Sequence, residues 1–209
     1  MKSITLVPAL LALATAAHAA APASTPERAR QAQCVVRANP QGAVALLTTI
    51  PTSVDDRNAG EMLIRRAHAC AREQLRDSRD VSVPVETRGL LAEQLIAGEA
   101  LPPKLPGEGT RRFGVLDPSQ IAETGANRAT LVFYDTASCV IDQNWPGARA
   151  LLASAPGSGE ERSALAALEP SFGGCLNGVR SMAVPALFAR AAIAEEVWHR
   201  LHDQQIAAR

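Results

Sequence analysis

The stretch "EEVWHRLH" at residues 195 to 202 holds the densest set of side chains able to bind a metal: Glu195, His199 and His202. Steps of four and three place all three on one side of a helix, as a two-histidine, one-carboxylate site requires. Such a site still needs another donor, and the sequence nominates none. Histidines close to a helix C-terminus are also favoured by the helix dipole without any metal. These residues are expected to be structural, with a metal-dependent or hydrolytic envelope enzyme built on this cluster as the alternative.

A second constellation occurs twice. Arg88 and Glu93 recur as Arg190 and Glu195, spaced R-x-x-x-x-E each time. Five residues apart on one helix, the two side chains point about 140° away from each other and cannot pair locally. Each therefore reaches for a different helix, as a buried ion pair or, as candidate ligand-binding residues, as a clamp on a bound molecule.

Nucleophile and cofactor signatures are missing. Ser158 in "PGSGEE" lacks the strand-to-helix turn of a nucleophile elbow and suits a helix cap. "SFGGC" at 171 to 175 is Gly-rich, but no P-loop Lys follows it. His68 lies two residues from Cys70, and a Cys-His nucleophile would need that thiol to be free. No catalytic residue and no cofactor is assigned.

The elements that must position these residues come as a pair. Residues 34 to 70 and 139 to 175 align without a gap at 14 of 37 positions, including Cys34/Cys139, Asn39/Asn144, Gly42/Gly147, Pro51/Pro156, Ser53/Ser158 and Cys70/Cys175. An ordered set that keeps Cys, Pro and Gly in step marks an internal duplication. All four cysteines sit at matched positions. In an oxidising compartment the economical pairing is Cys34 with Cys70 and Cys139 with Cys175, one staple per copy. A zinc site would need cysteines in near pairs, and the chain has none.

Local signals place helices in both copies. Thr25-Pro26-Glu27 opens a first helix running to about Ala38. Asn39-Pro40 ends it and caps a short second one, as Asn144 does before Pro146. Ser53 and Ser158 cap a third, with Asp56 and Glu161 placed to reach back toward the start. "VPVETRGLLAEQLI" (83 to 96) answers "VPALFARAAIAEEVW" (184 to 198) with one residue inserted. In the later copy Leu187, Ala191, Ala194, Trp198 and Leu201 form one apolar stripe, flanked by Val184, Phe188 and Val197. Small residues recur at Gly89/Ala191 and Ala92/Ala194, where another helix can approach closely. "TLVFYD" at 130 to 135 has strand-like composition but matches the first helix at the 105-residue offset; it is read as helix.

Pro and Gly crowd residues 97 to 129, read as a linker or an ordered excursion in which Asp117-Pro118 begins a short helix and "RRFGVL" docks on a repeat. The chain opens with Lys2, an apolar run from Ile4 to Ala17 and the Ala-x-Ala site Ala17-His18-Ala19. This pattern predicts a secretory signal cleaved after Ala19, too short to remain comfortably as a transmembrane anchor. Twenty-one basic and 21 acidic residues cancel, so nucleic acid is not the expected partner. Arg far outnumbers Lys, which reads as a GC-rich, bacterial coding bias. With seven aromatic residues in the chain, the core must come from Leu, Ala, Val and Ile, which favours packed helices.

The expected protein is all-α: two tandem copies of a short disulfide-stapled helical unit packed through their last helices. Residues 1–19 are the signal peptide, 20–97 the first repeat, 98–128 the Pro/Gly-rich linker and 129–209 the second repeat. The expected location is periplasmic or secreted, with no transmembrane segment after cleavage. The expected role is non-enzymatic binding of an envelope protein, a peptide or a small ligand, with a structural or stress-related envelope component as a further alternative.

Overall fold

The computed structural model describes residues 25–70, 83–107, 112–114, 118–176 and 185–206. The expected signal segment, Asp117 and Val184 lie outside them. The described residues form helices and no strand: α1 (Thr25–Ala38), α2 (Pro40–Leu47), α3 (Val54–Arg66), α4 (Val85–Ile96), α5 (Pro118–Thr124), α6 (Arg128–Gln143), α7 (Trp145–Ala153), α8 (Gly159–Cys175) and α9 (Ala186–Ile206). The chain is all-α.

Caps explain where these helices begin. Asn39 accepts a hydrogen bond from Gly42 N at 3.0 Å, and Asn144 accepts one from Gly147 N at 3.0 Å. Ser53 accepts from Asp56 N and Ser158 from Glu161 N, both at 3.1 Å. The acids reach back one residue further than a capping box does: Asp56 Oδ2 accepts from Thr52 N at 3.0 Å, and Glu161 Oε2 from Gly157 N at 2.6 Å. Thr52 and Gly157 occupy the same place at the 105-residue offset, and both have positive φ, 65° and 82°. A β-branched residue is out of place there. Its hydroxyl holds it, accepting a 2.6 Å hydrogen bond from Asn127 N at the start of α6.

Both disulfides close within their own half. Cys34 joins Cys70 with Cα atoms 5.5 Å apart, and Cys139 joins Cys175 at 5.8 Å. In the first half α1, α2 and α4 pack together, with α3 against α2; in the second, α6, α7 and α8 pack together, with α9 against α6 and α7. The largest interface joins the halves, α4 against α9. A Cβ added at Gly89 would lie 2.1 Å from the Ala191 Cα, so the two backbones touch there and no side chain fits between them.

In α9 the sequence reading needs correcting. Instead of one apolar stripe, every residue from Ala189 to Arg200 is buried, while Leu187 and Leu201 are only half-buried. The helix is surrounded on all sides. Its charged residues Arg190, Glu195, Glu196 and Arg200 are buried with partners rather than turned to solvent. "TLVFYD" is helical, because its strand-forming residues supply a buried helix face: Leu131, Tyr134 and Ala137 lie in the core with Phe133 and Val140. Burial overrides local preference here.

The segment between the halves is packed where it is described. Leu105, Phe113 and Ile121 are buried in the larger core cluster. Phe113 N donates to Asp135 at 2.9 Å, and its ring meets Tyr134 edge-on at 6.0 Å. Trp145 Nε1 donates to Pro102 O at 3.0 Å. Among the described residues no helix is long and apolar enough to cross a membrane.

Candidate functional site

Short helices end in carbonyls that lack intrahelical donors, and the partial negative charge there attracts a cation. α2 and α7 each receive an arginine. Arg88, from α4, donates through Nη1 to Leu46 O at 3.0 Å and to Thr49 Oγ1 at 3.2 Å, and through Nη2 to Thr49 O at 3.3 Å. Arg190, from α9, does the same at the matching positions: Leu151 O at 2.9 Å, Ser154 Oγ at 3.2 Å and Ser154 O at 3.0 Å. Each guanidinium also meets the reaching-back acid of its own half, Asp56 for Arg88 and Glu161 for Arg190, the latter at 3.1 Å.

The remaining face of each guanidinium crosses to the other half. Arg88 Nε lies 3.1 Å from both carboxylate oxygens of Glu195, and its Nη2 also bonds Glu195 Oε1. Arg190 Nε donates to Glu93 Oε1 at 2.7 Å and Nη2 to Glu93 Oε2 at 3.0 Å. The four residues singled out by their repeated spacing thus form two reciprocal pairs that clamp α4 to α9. These bidentate contacts need arginine geometry.

The two pairs differ in what covers them. Around Glu195 the site is sealed: Tyr134 donates its hydroxyl to Glu195 Oε2 at 2.6 Å, and His199 Nε2 lies 3.9 Å from Oε1. Arg88 and Asp56 are fully buried, and 1% of the Glu195 side chain is exposed. Burial works against the Glu195 charge, but Arg88 and His199 outweigh it and hold this carboxyl at about 2. Asp56, sharing the same arginine, is pushed up by burial. Burial, with Glu195 close by, keeps the Tyr134 phenol protonated and able to donate.

Around Glu93 the site is open. The positions matching Tyr134 and His199 hold Ala29 and Ala97, and the position matching Arg200 holds Gly98. All three small residues line a cleft of about 530 Å³ with Glu93 and Arg190 also in its wall. Glu93 keeps 12% of its side chain exposed, and burial raises it above the ordinary carboxylate range against the pull of Arg190.

The metal candidates do not assemble. Glu195 is committed to Arg88 and Tyr134. His202 Nδ1 lies 2.8 Å from Trp198 O, its Nε2 is 3.2 Å from Glu99, and its ring stacks on Trp198. No group of three His, Cys, Asp or Glu able to hold a metal occurs among the described residues. As ligand contacts, Arg88 and Glu195 are inaccessible; Glu93 and Arg190 border the cleft.

Sequence reading missed two features. Tyr134 passed as part of a strand-like run, although its exchange for Ala29 is visible at the 105-residue offset. Arg200 organises a third buried cluster, donating to Glu196 at 2.8 Å, to Asp142 at 2.5 Å and to Ser138 O at 3.1 Å. Nothing in the first half echoes it, so no spacing announced it.

No family model matches the chain, and no curated protein or solved structure is significantly similar to it.

Proposed function

We propose that the mature chain is an exported, non-enzymatic binding module that takes a peptide or small ligand in the cleft between its halves. The observation that carries this reading is the unequal filling of two matched sites: bulky side chains close one, and Ala29, Ala97 and Gly98 leave the other open above the partly exposed Arg190–Glu93 pair. A concave, partly apolar space with a few converging polar groups is the usual form of a ligand site. Export fits the two disulfides, since such bonds persist in oxidising compartments. The N-terminal segment supplies the route, and duplication of one stapled unit accounts for the paired clusters.

Removing residues 100–125 is not a clean test, because it would strip Leu105, Phe113 and Ile121 from the core. Plugging the cleft with Ala29→Tyr is cleaner. Native mass spectrometry of the mature protein after exposure to envelope extract should show a bound species on the wild type and none on this variant. A wild-type protein that acquires nothing, or a variant that binds equally well, would overturn the proposal.

A further inference from the structure

Building on the binding reading above, we infer that the ligand carries a phenolic hydroxyl, seated over Glu93 as the Tyr134 ring is seated over Glu195. The two sites match in geometry. Glu195 is gripped by the arginine of the other half and completed by a phenol at 2.6 Å. Glu93 is gripped in the same way by Arg190, and both hydrogen bonds it receives among the described residues come from that arginine. Where the sealed site carries the phenol, the open one has the Ala29 methyl and a cleft. The fold already contains one working example of the proposed complex, made with its own side chain.

Charge narrows the choice further. An anion would face Glu93, with Glu99 also in the cleft wall; a cation would face Arg190 and Arg149. A neutral donor avoids both conflicts. Ile96, Leu101 and Leu152 supply apolar wall for an aromatic ring. A carboxylate already bonded to a guanidinium still has lone pairs to accept an O–H, and a hydrogen bond to a charged acceptor is among the stronger kinds.

A phenol can arrive as a free small molecule or as the side chain of a tyrosine in a peptide. Calorimetric titration with p-cresol and with an Ala-rich peptide holding one central tyrosine distinguishes the two sources. N-acetyltyrosinamide and N-acetylphenylalaninamide isolate the hydroxyl. Wild type should bind the tyrosine amide at least about tenfold more tightly than the phenylalanine amide, the effect expected of one bond to a charged acceptor. Glu93→Gln should narrow that gap, and Ala29→Tyr should abolish binding. Ala97→Phe, which fills the cleft from the other side, repeats the test should Ala29→Tyr fail to fold by circular dichroism.

Equal binding of the two amides, or no binding of any phenol, would overturn the inference. If phenols fail while an extract-derived species still disappears in Ala29→Tyr, the ligand chemistry is wrong and the binding reading survives. If folded plugged variants retain phenol binding, the site itself is wrong.

Discussion

Arg88 is the residue on which most depends. Its guanidinium is fully buried, caps α2 and neutralises two carboxylates from different halves. Replacing it by Leu leaves Asp56 and Glu195 buried without their cation, and chemical denaturation should show a loss of about 3–5 kcal/mol. Arg88→Lys should restore little of this, because one ammonium cannot reach the α2 carbonyls and both acids together. Glu195 makes the pH dependence specific. A carboxyl held at about 2 in the folded chain, against an ordinary 4.5, contributes stability that is complete above 4.5 and is lost as pH falls toward 2. The expected contribution is roughly 3 kcal/mol. Asp56 and Glu93, pushed up by burial, act in the opposite sense and cost stability as pH rises through their folded values. Subtracting the denaturation profile of Glu195→Gln from that of the wild type isolates the term: the difference should be level at neutral pH and shrink below 4.5. Residue types and spacing alone showed that Arg88 and Glu93 cannot pair on one helix. They did not show that each exchanges partners with Arg190 and Glu195, because helix geometry excludes a local contact without choosing a distant one.

At the scale of elements, the crossing of α4 and α9 sets everything else. It brings Gly89 onto the backbone of Ala191 and so lets each arginine reach the acid on the opposite helix. Gly89→Leu should drive the helices apart and lower stability by about 3 kcal/mol or more, read from thermal and urea melts. Gly173→Ala is the control. It sits in α8 with nothing within 4 Å of an added Cβ, and should gain about 0.5–1 kcal/mol from helix propensity. The helix starts were readable beforehand because caps are local: Asn39, Ser53, Asn144 and Ser158 all act within three residues of themselves. The environment of α9 was not. Periodicity can mark an apolar stripe, but it does not show that the polar side is enclosed as well: Arg190, Glu195 and Arg200 find their partners on α4, α6, α7 and α8. The close approach at Gly89 was legible because only very small residues recur there.

Across the whole molecule, two covalent staples and two cross-half ion pairs carry the architecture. Loss of either disulfide, as Cys34→Ala with Cys70→Ala or Cys139→Ala with Cys175→Ala, should cost about 3–4 kcal/mol in the chain-entropy account, measured by denaturation against the oxidised protein. The pairing itself was legible from matched cysteine spacing. The cleft was not, since it arises from what the first half lacks: Ala29 and Ala97 against Tyr134 and His199 look like ordinary divergence until the fold places them over one acid. A single clamp occurs twice in the molecule, once sealed and once open. Hydrogen exchange of the arginine Nε–H groups, followed by NMR at low temperature, tests it directly. The Arg88 Nε–H should exchange only as slowly as the most protected core amides, and that of Arg190 distinctly faster, slowing when a ligand fills the cleft. Equal rates for the two arginines, or the reverse order, would contradict the account.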